Sequence, residues 1–112
     1  MEFEKKGCLL RIFIGENDHY QGRPLYEWLV EEAKKQELAG ATVLRGLMGF
    51  GKNSRIHTSR ILRLSSDLPV VLEIVDTRDR LEVYLDSVEH AIGEGLATIE
   101  KADVKFYRAK KK

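Results

Sequence analysis

From Leu9 to Gly15, Leu10, Ile12 and Ile14 alternate with Leu9, Arg11 and Phe13, and both sets are largely apolar. A period of two with apolar residues on both faces predicts a strand near the middle of a sheet. Glu16 to Arg23 is polar and predicts a loop. Pro24 then suits the first turn of a helix, where its missing N–H would have no intrahelical acceptor. Tyr26, Leu29, Val30 and Ala33 recur at i, i+3, i+4 and i+7, the spacing of one helix face, and Leu25 and Trp28 widen that stripe. Glu27, Glu31, Glu32, Lys34, Lys35 and Glu37 fill the remaining surface, and Gly40 is expected to close the helix as a left-handed cap.

Ala41 to Met48 is rich in β-branched and aliphatic residues and predicts a second strand. A glycine-rich basic loop follows from Gly49 to about Thr58. Arg60–Leu64 and Val70–Val75 read as extended, with Ser65-Ser66-Asp67-Leu68-Pro69 between them as an interruption. Asp76 or Thr77 can cap a second helix, in which Leu81, Tyr84, Leu85, Val88 and Ile92 keep the apolar spacing and Gly93 supplies the end. Val104–Tyr107 is expected as the last strand. The order is β-α-β twice, each half about 45–50 residues, which is the split βαβ motif. The fold class is therefore α+β, a ferredoxin-like sandwich with two helices on one face of an antiparallel sheet. The other face, expected to carry Leu9, Phe13, Val71 and Val75, calls for a cover, and self-association is the ordinary one.

The chain has 112 residues, 43% hydrophobic and 33% charged, with a net charge of +1. That length fits one domain, residues 1–112, with a core from about 9 to 107 and a basic tail at 108–112. Folding at this size removes roughly 60–70% of the extended chain's surface, so the core is thin. Near neutrality removes any global attraction to nucleic acid or to membranes. Cys8 is the only cysteine, which excludes an intrachain disulfide and a cysteine zinc cluster and fits a reducing compartment. The charged N-terminus is no signal peptide and no apolar run approaches transmembrane length, so the expected location is the cytoplasm. Side-chain amides are scarce beside Lys, Arg and Glu, a bias found in thermophiles.

Charge is concentrated in one place. Between Arg45 and Leu64 lie Arg45, Lys52, Arg55, Arg60 and Arg63 with no acidic residue, and Gly46, Gly49 and Gly51 let backbone N–H groups approach a bound oxyanion. The alternative is a solvated hairpin tip whose glycines only permit a tight turn. Gly46 to Asn53 falls one residue short of a P-loop, has Asn53 where a Mg²⁺-binding hydroxyl would stand, and is not followed by a helical pattern, so that motif is rejected. Gly93-Glu94-Gly95 is a second glycine turn, which helix capping by Gly93 alone would explain. His19, His57 and His90 show no metal-ligand spacing, and Glu16, Asp18 and His19 make only a loose cluster. Ser54 and His57 have no orienting acid or oxyanion hole, so an enzyme is not expected. The central strands are aliphatic and lack the stacking aromatics of RNA-recognition sheets.

The stretches Leu10–Glu16, Gly40–Gly51, Ser54–Thr58 and Leu68–Asp76 resemble a bacterial and archaeal PII-like family known as domain of unknown function one-ninety, and the resemblance runs from about Leu9 to Tyr107. It is related to the PII signal-transduction proteins. The resemblance implies a cytoplasmic homotrimer that needs no cofactor, binds an adenine nucleotide or other phosphate-bearing anion between subunits, and regulates a transporter or enzyme through the 49–58 loop. By resemblance, Gly49, Phe50, Gly51, Lys52 and Asn53 match the base of the PII regulatory loop, and Gly93 and Gly95 match its phosphate loop. Arg55, His57 and Lys105 are helpers. Leu96 and Tyr107 stand where PII proteins present basic residues to phosphate, which counts against a triphosphate. Two other readings stand beside this one. The first is a metal-binding trimer of the copper-tolerance type using His19, His57 and Glu16. The second is a structural interaction module with no small ligand.

Overall fold

The computed structural model describes residues 6–52, 57–58 and 67–110, and among these the elements follow in a βαββαβ plan. Strand β1 runs Lys6–Gly15. Two short strands, β2 (His19–Tyr20) and β3 (Arg23–Pro24), form a hairpin ahead of helix α1 (Leu25–Lys35). Strand β4 (Thr42–Arg45) follows, then a second short pair, β5 (Met48–Gly49) with β6 (His57–Thr58). Strand β7 (Pro69–Asp76), helix α2 (Arg78–Val88), a 3-10 turn (Glu89–Ala91) and strand β8 (Leu96–Asp103) complete the chain.

The main sheet is antiparallel throughout, in the order β4-β7-β1-β8. Strand β1 is central, as its two-sided apolar pattern predicts. Cys8, Leu10, Ile12 and Ile14 bury one face of β1, and Val70, Leu72 and Ile74 bury the same face of β7. Leu25, Leu29 and Ala33 of α1 and Leu81, Tyr84 and Val88 of α2 pack onto them. Both helices thus lie on one face of the sheet. Each fully buried aliphatic side chain contributes about 1.5–3 kcal/mol, so this single layer carries most of the stability.

Several expected boundaries move, each for a local reason. The first strand begins at Lys6 rather than Leu9, because Lys6 and Gly7 pair with Asp103 and Ala102 of β8. The loop before α1 holds the β2–β3 hairpin, turned by Gln21 (φ 52°) and Gly22 (φ 76°), two successive positive φ values of the kind a tight two-residue hairpin needs. Pro24 is the residue that caps α1, one position before its first turn. Gly40 does not end α1. The left-handed residue is Glu37 (φ 58°): its N–H reaches Lys34 O at 3.0 Å, and Leu38 N reaches Ala33 O at 3.1 Å, the paired bonds of a Schellman ending.

The expected Ala41–Met48 strand is broken at Gly46: its N–H still reaches Pro69 O at 2.7 Å, but Pro69 has no N–H to return the bond and the β4–β7 ladder ends there. Of the two caps offered for α2, Thr77 serves, its hydroxyl accepting from Arg80 N at 3.4 Å. Gly93 is no left-handed cap, since α2 tightens into the 3-10 turn and Ile92 N closes onto Glu89 O at 3.0 Å. The last strand is Leu96–Asp103 and not Val104–Tyr107. It pairs residue for residue with β1, and its exposed edge position dilutes the apolar alternation to Ile99. The extended reading of 60–64 lies outside the described residues.

Asp76 is buried completely and its carboxylate is fully used. Oδ2 accepts from Ala39 N at 2.9 Å and Oδ1 from Thr77 N at 2.7 Å, with Arg80 Nε at 3.5 Å. One carboxylate thereby ties the connection after α1 to the junction of β7 and α2.

Candidate functional site

The strands bring both glycine turns to one end of the sheet. Gly15 pairs with Pro69, Arg45 with Val70 and Phe13 with Leu96, so the chain leaves β4 and enters β8 at the same level. Gly46 and Gly49 both lie against the Pro69 ring; a Cβ at Gly46 would stand 2.8 Å from Pro69 Cγ, and one at Gly49 3.2 Å. Gly95 lies against β1, where a Cβ would come within 2.7 Å of Phe13 O. The close approach of backbone accounts for Gly95 without a ligand. Gly93 is different: it has open space around it and no positive φ, so neither packing nor conformation requires glycine there.

The turns sit at opposite edges. Gly49 follows the outer strand β4 and Gly95 precedes the outer strand β8. Three strand spacings of about 4.8 Å separate those edges, so one phosphate cannot touch both within a single chain. Phe50 is 75% exposed, and Gly51 and Lys52 are also exposed beyond β5. Lys105 lies past Asp103 at the far end of β8, about 25 Å from Gly95 along an eight-residue strand. Within one chain it does not join the glycine turns. Asn53 and Arg55 lie outside the described residues; His57 is placed in β6 by its backbone pairing with Gly49.

Charge at this end is partly spent. Arg45 Nη2 pairs with Glu16 Oε2 at 2.5 Å. Asp18 accepts from Gly15 N at 2.9 Å, Asp67 accepts from Asn17 N at 2.7 Å, and His19 Nδ1 meets Asn17 O at 2.6 Å. Glu16 and His19, two of the expected metal ligands, are thus turned to an ion pair and to their own loop. No group of three or more His, Cys, Asp or Glu suited to a metal occurs among the described residues.

The sheet face away from the helices carries the expected Leu9, Phe13, Val71 and Val75, and more. Leu44, Val71, Phe13 and Leu96 form one cross-strand row at the glycine end, with Leu96 59%, Leu44 49% and Phe13 37% exposed. Leu96 is an apolar member of this row, not a phosphate ligand by chemistry. Behind it, Arg11 reaches Glu73 at 2.9 Å and Glu100 at 2.6 Å. The hydrogen bond Arg11 donates to Glu73, above all, holds the guanidinium more firmly protonated than usual. At the far end the face is crossed by the segment after β8, where Tyr107 Oη donates to Ala39 O at 2.7 Å.

Two features escape the sequence patterns. Tyr20, Trp28 and His90 form an aromatic cluster, with Tyr20–Trp28 centroids 4.5 Å apart and Tyr20 Oη 3.1 Å from His90 Nε2. It joins the β2–β3 hairpin to the end of α2, a contact that no spacing in the chain announces. The second is the carboxylate bracing by Asp18 and Asp67, of which only Asp18, three residues after a strand-ending glycine, gives a local turn signal.

A profile of the family described as "Uncharacterized ACR", domain of unknown function one-ninety, matches residues 7–104. The chain belongs to this family. A UPF0166 protein of Aquifex aeolicus (strain VF5) is 40% identical over 99 residues, covering 88% of this chain and 93% of that protein. Among solved structures, CPII of Thiomonas intermedia K12, a nitrogen regulatory PII-like protein bound to ADP, AMP and bicarbonate, superposes with a TM-score of 0.67 at 12% identity, over 88% of each chain. The divalent ion tolerance protein CutA1 of Ehrlichia chaffeensis gives 0.54 at 10% identity, over 91% of this chain and 84% of that one. At these identities the likeness shows the fold: a PII-like, ferredoxin-type sandwich. No helix among the described residues is long and apolar enough to cross a membrane.

Proposed function

We propose that this family member is a PII-like ligand-sensing protein, a binding protein rather than an enzyme, that takes an adenine nucleotide or another phosphate-bearing anion between copies of itself. The observation that carries the reading is the split placement of the two glycine turns at one end of the sheet. A hairpin base with Lys52 at one edge and Gly93–Gly95 at the other make a complete phosphate site when a neighbouring copy brings the opposite edge alongside. Gly93 supports it, as a glycine that the fold of one chain does not need.

The copies, three by resemblance, meet through the apolar face around Phe13, and the whole chain acts as one domain with its core at 9–107. Gly49, Phe50, Gly51, Lys52, Asn53, Gly93 and Gly95 line the ligand, with Arg55, His57 and a neighbour's Lys105 as helpers. Leu96 and Tyr107 bring no charge, so a mono- or diphosphate is favoured over a triphosphate. Binding acts through the 49–58 loop on the surface offered to a regulated transporter or enzyme in the cytoplasm.

Thermal unfolding with AMP, ADP and ATP, followed by calorimetry on Lys52→Ala, tests this. A ligand at about 100 times its dissociation constant adds about 2.7 kcal/mol. Lys52→Ala is expected to weaken binding about tenfold, the usual order for one lost charge-assisted contact, and to leave the assembly intact. Absence of stabilisation by every anion, or unchanged affinity in Lys52→Ala, would overturn the site.

A further inference from the structure

A groove at the opposite edge of the sheet from the basic hairpin adjoins the site above through Gly95. It lies between the end of α2 and the first residues of β8 and encloses about 530 Å³. Ile12, Leu85, Ile92 and Ala97 give it an apolar floor, and Asp86 and Glu89 stand on its rim. Neither carboxylate has an ion-pair partner among the described residues. One wall is the outer edge of β8, which pairs with β1 on its inner side alone among the described residues. An open edge presents outward N–H and C=O groups that an added extended segment satisfies.

The chain carries a segment of matching chemistry. Residues 104–110 have no regular secondary structure. In extended form Phe106, Arg108 and Lys110 share one face. Two of them already do so here, the Arg108 guanidinium lying 4.4 Å over the Phe106 ring. Phe106 is 69% exposed, a large apolar side chain that its own chain covers only in part. An aromatic followed by two cations at alternate positions complements an apolar floor with two acidic residues on its rim.

The segment cannot reach the groove of its own chain. Tyr107 is hydrogen-bonded to Ala39 O, just before β4, which is the opposite edge of the sheet and the opposite end of its strands. From Tyr107, Arg108 to Lys110 span at most about 10 Å, against three strand spacings across the sheet and a further strand length along it.

We propose that the 106–110 face of one copy docks as an extended strand along the β8 edge of another. Phe106 lies on the groove floor, and Arg108 and Lys110 face Asp86 and Glu89. This rests on the self-association proposed above and deepens it: the same docking carries Lys105 of one copy to the Gly93–Gly95 turn of the next, where a phosphate would be held.

The test uses the full chain with Cys8→Ala, so that introduced thiols are the only ones. A tagged copy carrying Glu89→Cys is co-expressed with an untagged copy carrying Arg108→Cys, and a short bismaleimide is added. Its spacer tolerates a misregister of a few ångström. A cross-linked pair of one tagged and one untagged chain is expected, well above the yield of a control pair of Glu89→Cys with Lys34→Cys. Adding Asp86→Lys to the Glu89→Cys copy is expected to lower that yield several-fold. Sedimentation of the Cys8→Ala parent separates the two readings. A monomeric parent overturns self-association and the docking together. An oligomeric parent with no cross-link above the control, or with a yield insensitive to Asp86→Lys, overturns the docking alone.

Discussion

Tyr84 shows how one side chain can be both core and polar pin. Its ring is fully buried between the helices and the sheet, and its Oη donates to Leu29 O at 2.7 Å, joining α2 to α1. Burial, with Glu32 nearby as the lesser cause, pushes the phenol well above its ordinary value of about 10. A folded-state value above the unfolded one means that the neutral phenol is favoured in the fold. Its stabilisation is full below about pH 10 and is lost as the pH climbs beyond that, when the unfolded chain ionises first. Tyr84→Phe is therefore expected to cost about 1 kcal/mol at pH 7 and to lose less stability than the parent above pH 10. Urea unfolding at neutral and alkaline pH reads both. An equal alkaline loss in the variant would show that the phenol is not responsible. Asp76 plays a related part through a carboxylate, each of whose oxygens accepts a backbone N–H.

At the scale of elements, α1 ends in a way that its composition conceals. Glu37 takes the left-handed conformation that glycine adopts without cost, while Gly40, three residues on, has a negative φ and open space. The ending holds because Arg80 of α2 reaches back to the carbonyls of Gln36 and Glu37, and Gln36 Nε2 to Ser87 Oγ at 2.8 Å. Inter-helix contacts thus decide where the turn falls. The strain is stored at a side chain with no required contact, since Arg80 grips main-chain oxygens. Glu37→Gly is expected to raise stability by about 0.5–1 kcal/mol, from relief of the left-handed penalty. A lower denaturation midpoint in the variant would mean that the Glu37 side chain holds the loop itself.

For the whole molecule, the decisive feature is a sheet covered by helices on one face and only partly covered on the other. The row Leu44–Val71–Phe13–Leu96 is long, apolar and half open, and behind it the Arg11, Glu73 and Glu100 triad supplies charges of both signs. Such a face suits the self-association proposed above: in that reading the apolar row drives it and the ion triad penalises misplaced copies. Phe13→Glu places a charge at the centre of the row without touching the helix-side core. It is expected to shift the protein to monomers in sedimentation velocity while its far-ultraviolet spectrum stays that of the parent. An oligomer that survives this change would be built on another surface.

How much of this was legible beforehand follows from physics at each range. The sequence by itself determined the strands with strong alternation, the two amphipathic helices, their order and hence the split βαβ plan, because periods of two and 3.6 are written locally. It also determined the family, and the sheet face that carries Leu9, Phe13, Val71 and Val75. What only the tertiary structure decided depends on residues distant in the chain. An edge strand with little buried surface, Leu96–Asp103, is defined by its register with β1 and not by its own pattern. The helix end at Glu37 depends on Arg80 of the other helix. The need for Gly95 comes from the backbone of Phe13. The candidate site followed the same rule: its glycines and its lysine were visible as residue types, but their placement at opposite edges of one sheet end was not. That placement comes from strand order, which is a global minimum over many pairings and is written in no single segment.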